Sequence, residues 1–124
     1  MLAIDRAYVA VALLWAVVGM LQGLYMGIAA DTQLRDMHVA MMLSGFVTLA
    51  IYGMIYRLWP SIKQSPLARV QFWIAVAGSA GIIAGSYFFA TSGSIPLVAT
   101  GSVVFIAGAA LMAWIFVTAS EAEA

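Results

Sequence analysis

The sequence predicts an all-α integral membrane protein built as a four-helix bundle. Hydrophobic residues make up 65% of its 124 residues and charged residues only 8%, whereas about a quarter of a soluble domain is charged. A water-soluble chain of this length could not bury so much apolar surface in its own core. We therefore expect a single transmembrane domain over residues 1–124, with the lipid bilayer as the solvent of its outer surface.

The first two spans are bounded by charged residues. Segments 7–30 and 37–56 contain no Asp, Glu, Lys or Arg, and a helix needs about 20 apolar residues to cross the hydrocarbon. We expect the first helix at about 7–29 and the second at about 37–58. The first segment is too long for the apolar part of a cleavable signal, so we expect it to be retained.

The last two spans share one long uncharged segment, 70–120, which is too long for one helix and suits two. Turn-forming residues interrupt it at 91–96. Helices are therefore expected at about 69–90 and 97–119, and the proline-containing segment 60–66 is expected to be a loop. Strands are excluded because apolar runs this long satisfy their backbone groups in lipid only as helices.

The basic residues predict an orientation. Arg57, Lys63 and Arg69 lie in or beside the loop between the second and third helices, which we name the middle loop. Because Lys and Arg are enriched in cytoplasmic loops, we expect the middle loop and both termini to be cytoplasmic. Glu121 and Glu123, near the C-terminus, do not decide between the two orientations.

The composition excludes several functions. The absence of cysteine excludes disulfides, thiolate metal sites and covalently attached haem. A net charge of zero provides no bulk attraction to nucleic acid. No charged residue lies in the interior of the predicted spans, away from their ends, which disfavours an ion-coupled transporter or channel. No nucleophile is paired with a base, so no catalytic residue is predicted.

Glycines recur at helical spacing in three of the predicted spans. They are Gly19, Gly23 and Gly27 in the first helix, Gly81 and Gly85 in the third, and Gly101 and Gly108 in the fourth. Small residues at this spacing let helix backbones approach closely in lipid. The pattern fits packing within the bundle, oligomerisation, or room for a flat ligand, and the sequence leaves these alternatives open.

His38 is the only histidine and lies at the start of the second helix, on the outer side in the predicted orientation. At about 100° per residue, Met42 and Gly45 lie on the same side of that helix. A planar macrocycle ligated by His38 would find a notch at Gly45, with Met41 and Met42 as apolar lining. The alternative is a histidine that is hydrogen-bonded near the lipid headgroups. A single histidine without partners forms no zinc site.

Two groups of residues carry a family resemblance. Trp15, Gly19, Met20 and Gly23 in the first helix are followed by Leu34, Arg35 and His38 at the start of the second. This pattern resembles the beginning of the catalytic subunit of haem–copper oxidases and nitric oxide reductases. Segments 45–53, 56–60 and 67–73 resemble the short four-helix bacterial relatives of that subunit. The resemblance covers roughly the first 85 residues.

The resemblance implies a b-type haem protein of the bacterial inner membrane, active in electron transfer or in binding a gas. His38 would be an axial ligand of the haem iron, and Arg35 would pair with a propionate. The implied ring lining is Met41, Met42 and Gly45. Because one chain offers one histidine, the second ligand position would be taken by a methionine, left open, or filled by a second copy of the chain. We expect a homo-oligomer, with other respiratory-chain subunits as further partners. No counterpart of the copper-binding helices is predicted, so the chain is not expected to be an oxidase on its own.

Two departures from the short relatives favour a second interpretation. Those relatives often carry histidines at the positions of Ala40 and Gln71. Without these histidines, the chain would be a haem-free accessory or assembly subunit of a respiratory complex that keeps the fold. The sequence alone does not decide between the two interpretations.

Overall fold

The computed structural model describes residues 2–119, and over that range it contains four long helices and no strand. They are α1 (Ile4–Ala29), α2 (Arg35–Leu58), α3 (Ala68–Ser92) and α4 (Pro96–Thr118), and each is long and apolar enough to cross a membrane. The predicted all-α four-helix membrane fold is therefore confirmed. Glu121 and Glu123 lie outside the described residues.

The helix ends differ slightly from the expected ones. Helix α1 begins earlier, so Asp5 lies in its first turn. Helix α3 continues to Ser92 and ends at Gly93, whose φ of 71° is a left-handed conformation that glycine adopts without strain. Helix α4 begins at Pro96, because proline fits the first helical turn. In the middle loop, Pro60–Gln64 forms a short 3₁₀ helix.

Helix α2 is not uniform. It is α-helical over Arg35–Ala40, π-helical over Met41–Val47 and α-helical again over Thr48–Leu58. Directly after the π segment, the Thr48 hydroxyl donates a hydrogen bond to the Leu43 carbonyl, five residues earlier, at 2.8 Å. The wider turn begins shortly after His38 and changes the direction of the side chains that follow it. Such π segments are rare in proteins overall, and those that occur are often found at functional sites.

Helices α3 and α4 pack with their backbones in contact. A Cβ added at Gly78 would lie 2.6 Å from the Cα of Phe105, and one added at Gly101 would lie 2.5 Å from the carbonyl carbon of Gly81. No side chain fits between the two helices at these points. Van der Waals contact between backbones is a main source of helix association in lipid, so these glycines hold α3 and α4 together.

A buried polar network connects all four helices. Gln71 of α3 is fully buried, and its amide oxygen accepts hydrogen bonds from the hydroxyls of Tyr8 in α1 and Tyr56 in α2. Its amide nitrogen donates to the Gly108 carbonyl of α4 at 3.1 Å. The rings of Tyr8 and Phe72 meet edge to face, 4.8 Å apart. The polar atoms of Gln71 are therefore satisfied inside the bundle, as buried polar groups require.

An ion cluster joins the start of α1 to the middle loop. The Asp5 carboxylate is buried and lies 3.0 Å from the Lys63 ammonium and 3.5 Å from the Arg57 guanidinium. A buried carboxylate is costly unless cations or hydrogen bonds compensate it. The cluster therefore fixes the N-terminal end of α1 against the middle loop and the end of α2.

Gly85→Ala is expected to destabilise the bundle by about 1–3 kcal/mol, because its Cβ would collide with the backbone at Val98. The measurement is the free energy of unfolding from SDS titration of the detergent-solubilised protein. Gly27→Ala is the matched control, since a Cβ there meets no atom within 4 Å. Equal free energies for the two variants would contradict the close packing of α3 and α4.

Gln71→Met is expected to lower the free energy of unfolding by about 1–3 kcal/mol, because Tyr8 and Tyr56 lose their buried acceptor. Gln22→Met is the matched control: the Gln22 side-chain oxygen is buried without a hydrogen-bond partner, so its removal costs no hydrogen bond. A larger loss for Gln22→Met than for Gln71→Met would show that the network does not stabilise the fold.

Candidate functional site

His38 lies near the start of α2, and its imidazole packs against α1. Its Nδ1 lies 2.8 Å from the carbonyl oxygen of Gly19. A carbonyl oxygen only accepts hydrogen bonds, so Nδ1 carries the proton in this contact, and the neutral ring has its lone pair on Nε2. Within residues 2–119, no hydrogen bond involves Nε2. The site therefore presents one oriented nitrogen donor.

Gly23 makes this hydrogen bond sterically feasible. A Cβ at Gly23 would lie 2.8 Å from the Cε1 atom of His38, which is closer than carbon atoms approach without displacement. The ring thus occupies the space that a side chain at this position would fill. The glycine spacing in α1 predicted close helix packing, but it did not indicate that Gly19 and Gly23 would hold the histidine.

The contact between α1 and α2 continues below His38 as an antiparallel series, which we name the α1–α2 seam. Its members pair His38 with Gly23, Met42 with Gly19, and Gly45 with Trp15. A Cβ added at Gly19 would lie 2.7 Å from the Met42 sulfur. The face of α2 that carries His38 is therefore the face that packs against α1.

Trp15 fills the notch that the sequence indicates at Gly45. A Cβ added at Gly45 would lie 2.7 Å from the Cγ of the Trp15 indole. A planar ring at Gly45 would have to displace this indole from its place in the packed helices. In the described chain, the missing side chain of Gly45 makes room for Trp15.

The other predicted site residues take different positions around His38. Met41 is buried in an apolar cluster with Ala40 and Ile83. Met42 is half-buried in the α1–α2 seam, and Arg35 is exposed in the first turn of α2. The structure thus brings Met42 and Gly45 into one seam with His38 and leaves Arg35 exposed about one helical turn before it. Met41 lies beside Gly19 of α1 and Ile83 of α3.

Gln22 is a polar residue of this half of the bundle that site prediction missed. It precedes Gly23 in α1, and its side-chain oxygen is buried without a hydrogen-bond partner. Few buried polar atoms in folded proteins lack a partner, so each one needs an explanation, such as a bound water or ligand. Its presence in an apolar helix was visible in the sequence, but its burial was not.

Among residues 2–119, no group of three or more His, Asp, Glu or Cys side chains could hold a metal ion. A metal at His38 would therefore find no group of three such protein ligands within this range. Comparison with known protein families, curated proteins and solved structures gives no match to this chain. The resemblance to haem–copper oxidase subunits accordingly stays a prediction.

Gly23→Ala is expected to displace the imidazole and to break the hydrogen bond between Nδ1 and Gly19, because the new Cβ would collide with the ring. The measurement is the ¹⁵N spectrum of histidine-labelled protein at a pH where the ring is neutral. The parent protein should show a protonated Nδ1, and the variant a mixture of tautomers. Gly27→Ala is the control and should keep the parent spectrum.

Proposed function

We propose that the chain is a small b-type haem protein of the bacterial inner membrane, with both termini cytoplasmic and His38 Nε2 as an axial ligand. The observation that carries the proposal is the 2.8 Å contact between His38 Nδ1 and the Gly19 carbonyl. Metal-binding histidines commonly donate their other ring N–H to a carbonyl or carboxylate, which fixes the tautomer and the ring orientation. In this protein, the Gly19 carbonyl accepts the Nδ1–H of His38 in this way.

The residues around His38 fit the haem in part. The imidazole fits the role of axial ligand, and Arg35 offers a guanidinium suited to a carboxylate such as a propionate. The α1–α2 seam does not hold the ring at Gly45, because Trp15 occupies that space. The haem would therefore be held outside the part of the seam that Trp15 closes, with Met42, one helical turn after His38, as an apolar contact.

The shortage of ligands within one chain favours an oligomer. Only one histidine is present, so a second imidazole would come from another copy of the chain. The outer face of α1 is apolar and exposed, with Leu14, Leu21 and Leu24 each at least 60% exposed. When bound, the haem would supply one-electron transfer or a binding position for a gas. His38 and Gly19 would hold and orient it.

A haem-free accessory or assembly subunit is the second candidate function. Two observations favour it: Trp15 fills the notch at Gly45, and Gln71 is fully used in a network that joins the four helices. The bundle therefore holds together without a cofactor. In this interpretation, the contact of His38 with Gly19 only joins α1 to α2, and the protein acts through its exposed helix faces on other membrane subunits.

Removal of His38 distinguishes the two functions. The protein is expressed in cells with ample haem, purified in detergent and examined by its reduced-minus-oxidised absorption spectrum. We expect Soret and α bands in the parent protein and their loss in His38→Ala, because the only imidazole is removed. Val39→Ala is the neighbouring control, an exposed position outside the proposed site, and should keep the bands.

The same preparations test the oligomer. A haem held by two His38 imidazoles should give a low-spin spectrum, an even number of chains by native mass, and one haem for every two chains. A colourless parent protein with intact helical circular dichroism would overturn the haem proposal and leave the accessory subunit. Equal bands in His38→Ala and in the parent would exclude His38 as the ligand.

A further inference from the structure

A groove opens between α1 and α2 at the end of the bundle opposite His38. Its volume is about 600 Å³, which lies within the range of small-molecule sites. It is lined by charged residues at its mouth and by apolar or small residues along its length: Asp5, Arg6, Val9, Ala10, Leu13, Gly53, Met54 and Arg57. None of these residues belongs to the proposed haem site.

Small residues form the groove, and apolar side chains line it. Gly53 brings α2 close to α1, since a Cβ there would lie 2.9 Å from Val9 and 3.1 Å from the Asp5 carbonyl oxygen. Ala10 adds no bulk on the α1 side. Leu13 and Met54 are more than half exposed and turn apolar surface towards the groove. The groove therefore suits an extended hydrocarbon chain.

The mouth of the groove carries excess positive charge. Its one acid, Asp5, is buried and is engaged by Lys63 at 3.0 Å. Arg57 reaches the same carboxylate only at 3.5 Å, and its side chain is 75% exposed. Arg6 is exposed beside it. Arg57 donates a hydrogen bond to Asp5, but three cations, Arg6, Arg57 and Lys63, surround this one carboxylate. The mouth therefore keeps a net positive charge, which the exposed Arg6 and the exposed part of Arg57 present to an outside anion.

We propose that this groove binds one anionic phospholipid, with the phosphate at Arg6 and Arg57 and an acyl chain along Val9, Leu13 and Met54. Arginine donates strong, charge-assisted hydrogen bonds to phosphate oxygens. Basic residues at the membrane surface also attract anionic lipids. A phospholipid matches the groove from end to end. Its charged headgroup lies at the membrane surface, like the charged mouth, and its acyl chain extends towards the membrane interior, like the apolar length of the groove.

Charge complementarity distinguishes this lipid from others. A phosphatidylcholine headgroup carries its own cation, which gains nothing from a mouth that is already positive. A phosphatidylglycerol headgroup is a net anion and compensates the two arginines. The groove is therefore expected to prefer the anionic lipid when acyl chains are identical, and the preference should weaken at high salt because the mouth is exposed.

The experiment is native mass spectrometry of the full chain, released from micelles that contain equal amounts of phosphatidylglycerol and phosphatidylcholine with the same acyl chains. We expect one phosphatidylglycerol retained per chain, with about tenfold preference over phosphatidylcholine. In the double variant Arg6→Gln/Arg57→Gln the preference should disappear. Arg69→Gln is the control for charge, because Arg69 lies near the same membrane surface and lines a different groove.

A second pair of variants tests the groove itself. Ala10→Phe keeps every charge and fills the groove from an exposed position, so it should lose the bound lipid. Ala110→Phe is the matched control, at an exposed position of α4 away from the groove, and should retain the lipid. Circular dichroism of all variants confirms that the helices are kept.

Several outcomes would overturn the proposal. Equal retention of the two lipids by the parent protein would show that the mouth does not select an anion. An equal loss of the preference for phosphatidylglycerol in Arg69→Gln would show that general surface charge, and not the groove, attracts the anionic lipid. Full displacement of the lipid by soluble glycerol phosphate would show that a free phosphate suffices and that the groove contributes nothing.

Discussion

Close approach of helix backbones is the constraint on which this bundle depends. Apolar side chains gain little by moving from lipid to another helix, so association relies on van der Waals contact and on hydrogen bonds between helices. Gly78 and Gly101 let α3 and α4 meet backbone to backbone. The same constraint creates the histidine site, because only the missing side chain of Gly23 lets His38 reach the carbonyl of Gly19.

The polar groups of the bundle differ in how completely they are satisfied. Towards the middle loop, Gln71 uses both ends of its amide, and the Asp5 carboxylate lies beside two cations. At the other end, His38 uses one ring nitrogen, and Gln22 keeps a buried oxygen without a partner. Asp5 Oδ1 and the Ser61 hydroxyl, both towards the middle loop, are also buried without a hydrogen bond. Unsatisfied polar atoms therefore occur at both ends, and the end at His38 is distinguished by its single oriented imidazole.

The sequence predicts the parts of the fold that depend on local composition. Long uncharged segments specify the four helices, because a continuous apolar run of this length satisfies its backbone groups in lipid only as a helix. Pro96 and the turn residues before it place the break in the last segment. The helical wheel also identifies the correct face of α2 at His38. It could not identify Trp15 as the partner of Gly45, nor the π segment at Met41–Val47. Both depend on the packing of one helix against another, which no local pattern contains.

The α1–α2 seam connects the two proposed sites. It is closed in its middle, where Trp15 packs into the gap at Gly45. Beyond this closed part, His38 contacts α1 at one end, and the groove at Gly53 opens at the other. A ligand at either end therefore contacts the same two helices without sharing a residue with the other.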